Sequence, residues 1–208
     1  MIPVNRTYHH GNLREALVDA GVALARGGGP QAVVLRAVSR EAGVSHNAAY
    51  RHFTGHEDLL AAVAARCTEA LGQLMISRTA AVGPDDPVPL AWARLEAIGR
   101  AYLDFARTEH GWFRTAFSGA GGHGAAEQTG PHPTDPGADP YLLLAARLDE
   151  LVEVGALPAD RRPGAEYAAW SAVHGLSSLL VDGPLRDLPE DEVRLAAQSV
   201  LAVVSRGL

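Results

Sequence analysis

The sequence predicts an all-α protein of about nine helices, divided between a short N-terminal part and a larger C-terminal one. Three observations carry this. Apolar residues recur at three- and four-residue spacing along almost the whole chain. No stretch shows the alternation of period two that marks a half-buried strand. Clusters of Gly and Pro, at Gly27-Gly28-Gly29-Pro30 and Gly83-Pro84-Asp85-Asp86-Pro87, cut the pattern into segments of helical length.

In chain order, Leu13, Leu17, Ala20, Val22 and Leu24 fall at helical spacing after Asn12, a suitable N-cap, and the first Gly/Pro cluster stops that helix. A second segment runs from about Leu35 to Ala42 and ends at Gly43. A short third one follows Ser45 and ends near Phe53-Thr54-Gly55. The fourth starts near His56 and carries Leu59, Leu60, Val63, Cys67, Leu71 and Leu74 on one side before the second cluster breaks it. Pro89 to Thr108 reads as a helix with Trp92, Leu95, Ile98, Tyr102 and Phe105, and Trp112, Phe113 and Phe117 mark a short one after it. Residues 119–139 have no periodicity and read as a long, mobile loop. Asp139-Pro140 pairs an N-cap with proline at the first helical position, opening a helix to about Gly155. Two more follow at roughly 163–182 and 189–205, the last led by Pro189, Glu190, Asp191 and Glu192, acids suited to a helix N-terminus.

Composition narrows the function classes. The hydrophobic share of 47% over 208 residues is enough to build a sizeable core. No uninterrupted apolar run approaches the ~18 to 20 residues that span a bilayer, and Met1-Ile2-Pro3-Val4-Asn5-Arg6 lacks the apolar stretch of a signal peptide. The lone Cys67 cannot form an internal disulfide. The expected compartment is therefore the cytoplasm, without a membrane partner. Every basic side chain is arginine, for there is no lysine. Residues 1–60 hold six arginines against five acids and five of the nine histidines, whereas residues 61–208 hold twelve arginines against nineteen acids. A net charge of −6 makes the overall field unfavourable to nucleic acid, so any DNA contact has to come from the N-terminal part.

The stretch Leu35 to Phe53 gives that part its chemistry. A helix stops at Gly43, where a left-handed backbone costs least. Val44 can plug the gap between two helices, and Ser45 can cap the next one. Helix, three-residue turn, helix is the geometry that offers a short second helix to the DNA major groove. Its outward positions are His46, Asn47, Tyr50 and Arg51, all hydrogen-bond donors, with Ala48 and Ala49 small enough for close approach. Arg can read guanine there and Asn adenine.

Ala42-Gly43-Val44-Ser45, then Tyr50-Arg51-His52-Phe53, then Glu57-Asp58-Leu59-Leu60, resembles the DNA-binding domain of the TetR family of bacterial regulators. Tyr8-His9-His10-Gly11-Asn12-Leu13 resembles the opening of one branch of that family. The match covers about residues 8–62. It implies an N-terminal three-helix DNA-binding domain over residues 1–55 and a helical effector-binding and dimerisation domain over 56–208. It also implies a recognition helix from Ser45 to His52, with Tyr50 and His52 on phosphates. Arg6, Arg36 and His56 complete the DNA-binding candidates. Two positions depart from the family pattern: Val38-Ser39 stands where an Ile-Ala pair is usual, and His56 where a phosphate-directed lysine is usual. A neutral His56 donates one hydrogen bond without a full charge, which implies weaker or pH-sensitive binding.

Ala169-Trp170-Ser171-Ala172-Val173-His174-Gly175-Leu176 resembles a Trp, His, Gly motif in the C-terminal domain of one TetR branch. Trp170 and His174 share a helix face, and Gly175 lets a neighbouring helix come close. By resemblance the last two helices pair with those of a second copy, and the domain encloses a small molecule. The candidate effector contacts are Trp92, Tyr102, Phe105, Trp112, Phe113, Phe117, Trp170 and His174, each of which can equally be plain core, with His174 the more readily read as structural.

The resulting expectation is a homodimeric repressor that leaves double-stranded operator DNA when its effector binds. An activator or a regulator without ligand stays open beside it, as does a helical ligand carrier or enzyme that does not bind DNA. No enzyme constellation, cofactor or metal set stands out. Gly119 to Gly124 spells GxGxxG without the strand and helix a dinucleotide site needs. His110, His123 and His132 are scattered, and the chain breaks between His52 and His56. Cys67, on an apolar helix face, reads as a buried, inert thiol.

Overall fold

The computed structural model describes residues 13–83, 85–119 and 136–208, and through them run nine α-helices. The N-terminal unit is built from α1 (Leu13–Gly28), α2 (Leu35–Glu41), α3 (His46–Ala49) and the first half of α4 (His56–Ala80). Leu17, Val33, Val38, Ala49, Phe53 and Leu59 meet in its core, each at most 1% exposed. The expected cap Asn12 lies outside the described residues.

The turn between α2 and α3 follows from its residues. Gly43 has φ of +70°, the left-handed value that favours glycine. Val44 is half-buried against the core. Ser45 accepts a hydrogen bond from the Ala48 N–H at 3.2 Å, satisfying one of the free donors that open α3. Regular helix in α3 covers four residues, fewer than the Ser45–His52 span expected. It continues as tighter turns, in which Arg51 N–H donates to the Ala48 carbonyl and His52 N–H to that of Ala49. The unusual Ser39 is buried and donates to the Leu35 carbonyl at 2.7 Å, so a hydroxyl fits where the family has a methyl.

Before α4, Thr54 donates from its backbone N–H to Asp58 Oδ2 at 2.9 Å, an acid three positions inside the helix reaching back over its start. Helix α4 buries more than one side. Leu59, Val63, Cys67 and Leu71 are interior as the spacing predicts, and Ala64, Ala65, Thr68 and Met75 join them. A helix packed on most sides is apolar on most sides. For that reason α4 is long and apolar enough to cross a membrane by length and composition, although half of its most apolar stretch is buried in the protein.

The C-terminal unit adds α5 (Pro87–Thr108), α6 (His110–Ala116), α7 (Pro140–Glu153), α8 (Ala165–Val181) and α9 (Glu190–Gly207). Their boundaries lie within a few residues of the expected ones. Asp139 caps α7 as predicted, accepting from the N–H groups of Tyr141 and Leu142 at 2.8 and 3.1 Å. Of the predicted loop 119–139, residues 120–135 lie outside the described ones, and with them most of the GxGxxG match, His123 and His132. Its last part is ordered into a 3-10 turn, Pro136–Ala138, with Ala138 buried against α4. One core gathers Leu71, Met75, Tyr102, Phe105, Phe113 and Leu201, and another Leu95, Leu144, Leu148, Leu151 and Ala169.

Two contacts bind the units together besides α4. Helix α6 lies against α1 so tightly that a Cβ on Gly111 would overlap the carbonyls of Ala25 and Arg26. Beside it, Trp112 donates its indole N–H to the Val22 carbonyl at 2.9 Å, and Arg26 lies over the Trp112 ring at 5.0 Å while pairing with Glu109.

Gly111→Ala is expected to lower unfolding free energy by about 1–3 kcal/mol, because the overlap is with backbone that has to shift; a denaturant midpoint equal to that of the unsubstituted protein would contradict the contact. Burial pushes the Cys67 thiol from 9.0 up to about 12. Since the folded value is raised, the associated stability is complete below about pH 9 and is lost as pH climbs towards 12. At pH 8 a thiol reagent should therefore label Cys67 no faster than the protein unfolds, and prompt labelling of folded protein would show the side chain to be accessible.

Candidate functional site

The first candidate surface is built on α2, the turn and α3. Arg36, Ser45, His46, Asn47, Tyr50, Arg51, His52 and His56 are all exposed, and Ala48 is half-buried. Tyr50 keeps 52% of its surface free, a large amount for an aromatic ring, and the His46 ring meets its edge at 4.8 Å. Ala49 departs from expectation: it is fully buried and belongs to the core, about 200° of helix rotation round from Asn47. Arg6 lies outside the described residues. One residue the sequence reading missed is Arg40, exposed one turn after Arg36 on α2. Its signal was available in the four-residue spacing from Arg36.

Charge distinguishes this surface. Nine arginines from Arg66 onward are tied to acids, among them Arg94 to Glu150, Arg107 to Glu190 and Arg114 to Asp182. The Arg114 guanidinium holds the Asp182 carboxyl below its ordinary range. Among the described residues, Arg36, Arg40 and Arg51 form no ion pair. Their charge is available to a polyanion, whereas in the other half most of it is spent internally.

The second candidate site is a partly open cavity between α5, α7, α8 and α9 with Met75 of α4 at its edge. Two of the effector-contact candidates, Tyr102 and Trp170, line it. The other six aromatic and histidine candidates do not. Phe113, Phe117 and His174 form a layer behind Tyr102, with ring centroids 4.9 to 6.0 Å apart. Phe105 is buried and faces Trp112 at 6.4 Å, Trp112 is committed to α1, and Trp92 packs against the α5–α7 core. A stripe of aromatics at helical spacing says which helix face is apolar but not which neighbour covers it. The walls missed from sequence include Leu144, Tyr141, Leu201 and Ser205.

Hydrogen bonds fix the polar atoms here. Tyr102 Oη lies 2.7 Å from His174 Nδ1 and is also hydrogen-bonded to Trp170. An indole N–H can only donate, so the phenol accepts from Trp170, and its other partner is His174 Nδ1. Burial holds the Tyr102 phenol well above its ordinary range, which keeps it a donor. Among the described residues no neighbouring helix comes within 4 Å of where a Cβ on Gly175 would be. Among the described residues no group of three or more His, Cys, Asp or Glu can hold a metal ion.

Comparison with known proteins agrees with this architecture. Residues 17–63 match the family model "Bacterial regulatory proteins, tetR family", and residues 95–203, more than half the chain, match "Tetracyclin repressor-like, C-terminal domain". A search of curated proteins finds no match. Among solved structures, a protein with unknown function from Rhodococcus sp. RHA1 is 26% identical with a TM-score of 0.73, and 98% of each chain is covered. RolR (NCGL1110), in complex with resorcinol, is 15% identical with a TM-score of 0.63, covering 91% of this chain and 86% of that one. The regulator FadR from Bacillus subtilis, in complex with stearoyl-CoA, is 15% identical with a TM-score of 0.62, covering 93% and 98%. By the two domain matches, the chain belongs to the TetR family of DNA-binding transcriptional regulators.

Proposed function

We propose that this regulator is a cytoplasmic homodimeric repressor, of the branch with the C-terminal Trp-His-Gly motif, that releases its operator when a small molecule fills the α5–α7–α8–α9 cavity. The observation that carries the reading is the coexistence of an exposed, ion-pair-free arginine surface with a cavity mechanically joined to it. Tyr102 is a cavity wall, it packs on Phe113 of α6, and the next residue back, Trp112, is bonded to α1 of the DNA-binding unit. An occupant that displaces Tyr102 or Met75 therefore pushes on both α6 and α4. It shifts the DNA-binding equilibrium only by its unequal affinity for the two arrangements.

On DNA, Asn47 and Arg51 are assigned to base edges, Tyr50 and His52 to phosphates, and Arg36, Arg40 and His56 to the flanking backbone. Ser45 positions the recognition segment and Ala48 allows it to approach. Two copies are needed to reach successive major grooves. Support for pairing through α8 and α9 comes from their outer faces, where Tyr167, Leu179, Leu195 and Val203 are 42% to 62% exposed and Gly175 is open. Such apolar surface is costly to leave in water.

In a binding titration with the DNA flanking its own gene, Y50A/R51A is expected to weaken specific binding by about tenfold or more while the protein remains dimeric. Unchanged affinity would remove the recognition assignment. His56→Lys is expected to tighten binding and to steepen its salt dependence by about one phosphate contact per subunit; an unaltered salt slope would place His56 away from the backbone.

A further inference from the structure

We infer that the cavity selects an uncharged, largely apolar or aromatic molecule and discriminates against carboxylates and ammonium ions; this rests on the cavity being the effector site. Its walls are hydrocarbon and ring: Leu95, Ile98, Leu144, Val173 and Leu201, with Tyr141 and Trp170 facing each other at 5.5 Å and tilted by 46°. A planar guest fits against such a pair by offset or edge contact.

The polar atoms of the lining have partners within the protein, the Tyr141 hydroxyl with Tyr167 among them. Tyr102 Oη is hydrogen-bonded to His174 Nδ1 at 2.7 Å and accepts from Trp170. Ser205 donates its hydroxyl to the Leu201 carbonyl at 3.1 Å. Glu96 is the one charged lining residue among those described, and it stands at the exposed mouth with Arg100 on its Oε1 at 2.5 and 2.9 Å. No arginine lines the space among the described residues.

These facts set the ligand class by exclusion. A carboxylate would shed water without gaining a free cation, since Arg100 at the mouth is already paired with Glu96. An ammonium ion would find only Glu96, which Arg100 already neutralises and solvent screens. A guest rich in hydroxyls would find donors and acceptors already committed. A neutral molecule that brings mainly apolar surface incurs none of these penalties.

The test is calorimetric titration of the full chain at pH 7.5 with three probes of one shape: naphthalen-2-ol, naphthalene-2-carboxylate and naphthalen-2-ylmethylammonium. The naphthol is expected to bind and each ion to bind at least about tenfold more weakly, since the ions carry an uncompensated desolvation cost. Ser205→Trp, a change at an exposed position on the mouth, is expected to abolish naphthol binding without lowering the melting temperature. Tighter binding by either ion, still sensitive to Ser205→Trp, would overturn the class assigned while leaving the cavity as the site. Binding insensitive to Ser205→Trp, or no binding by any probe, would overturn the cavity as the site itself.

Discussion

The hydrogen bond from the Trp112 indole to the Val22 carbonyl, with the close seating of Gly111 on the end of α1, holds the two units in one arrangement. Helix α4 alone would leave a long lever with a single attachment. The second attachment makes the orientation of α1, and of the α2–α3 pair packed on it, depend on where α6 lies. Helix α6 in turn rests on α5 through Tyr102 and Phe113. The Arg26–Glu109 pair lies beside this joint with Arg26 largely exposed, so it guides position more than it adds stability. The exclusion of any Cβ at residue 111 is the more demanding requirement, because backbone atoms cannot rotate out of the way.

Charge placement is the second organising feature. A chain with net charge −6 binds DNA by segregating its cations. Arginines of the C-terminal unit pair with acids on neighbouring helices, whereas Arg36 and Arg40 of α2 and Arg51 just after α3 are exposed and form no ion pair among the described residues. With arginine and histidine as the only cationic side chains, the surface has planar, directional donors in place of flexible ammonium groups. Few full charges also mean that the electrostatic share of affinity is small and orientation has to supply the rest.

The α2–α3 turn was legible in the sequence because its chemistry is local: Gly43, Val44 and Ser45 each do there what their own backbone and side-chain properties dictate. The same holds for the Asp139-Pro140 start of α7. Burial within a short helix was not legible to the same degree. Ala48 and Ala49 look alike in sequence, yet one is half-exposed and the other interior, since their difference is 100° of helix rotation. The cavity was the least legible feature. Tyr102 and Trp170 were named, but so were Phe105, Phe113, Phe117 and Trp112, which have the same composition and spacing. Deciding among them requires knowing that α7 and α9 close over α5 and α8, a tertiary fact with no local signal. Leu201 and Ser205 on α9 could not be singled out for the same reason.

On the proposed reading, the segment from Ser45 to His52 in each of two copies enters a major groove. Hydroxyl-radical footprinting on the DNA beside the gene tests it most directly. The account requires two protected patches on one face of the duplex, their centres about 34–36 Å or a multiple of that apart. A single patch, or even protection regardless of sequence, would contradict it.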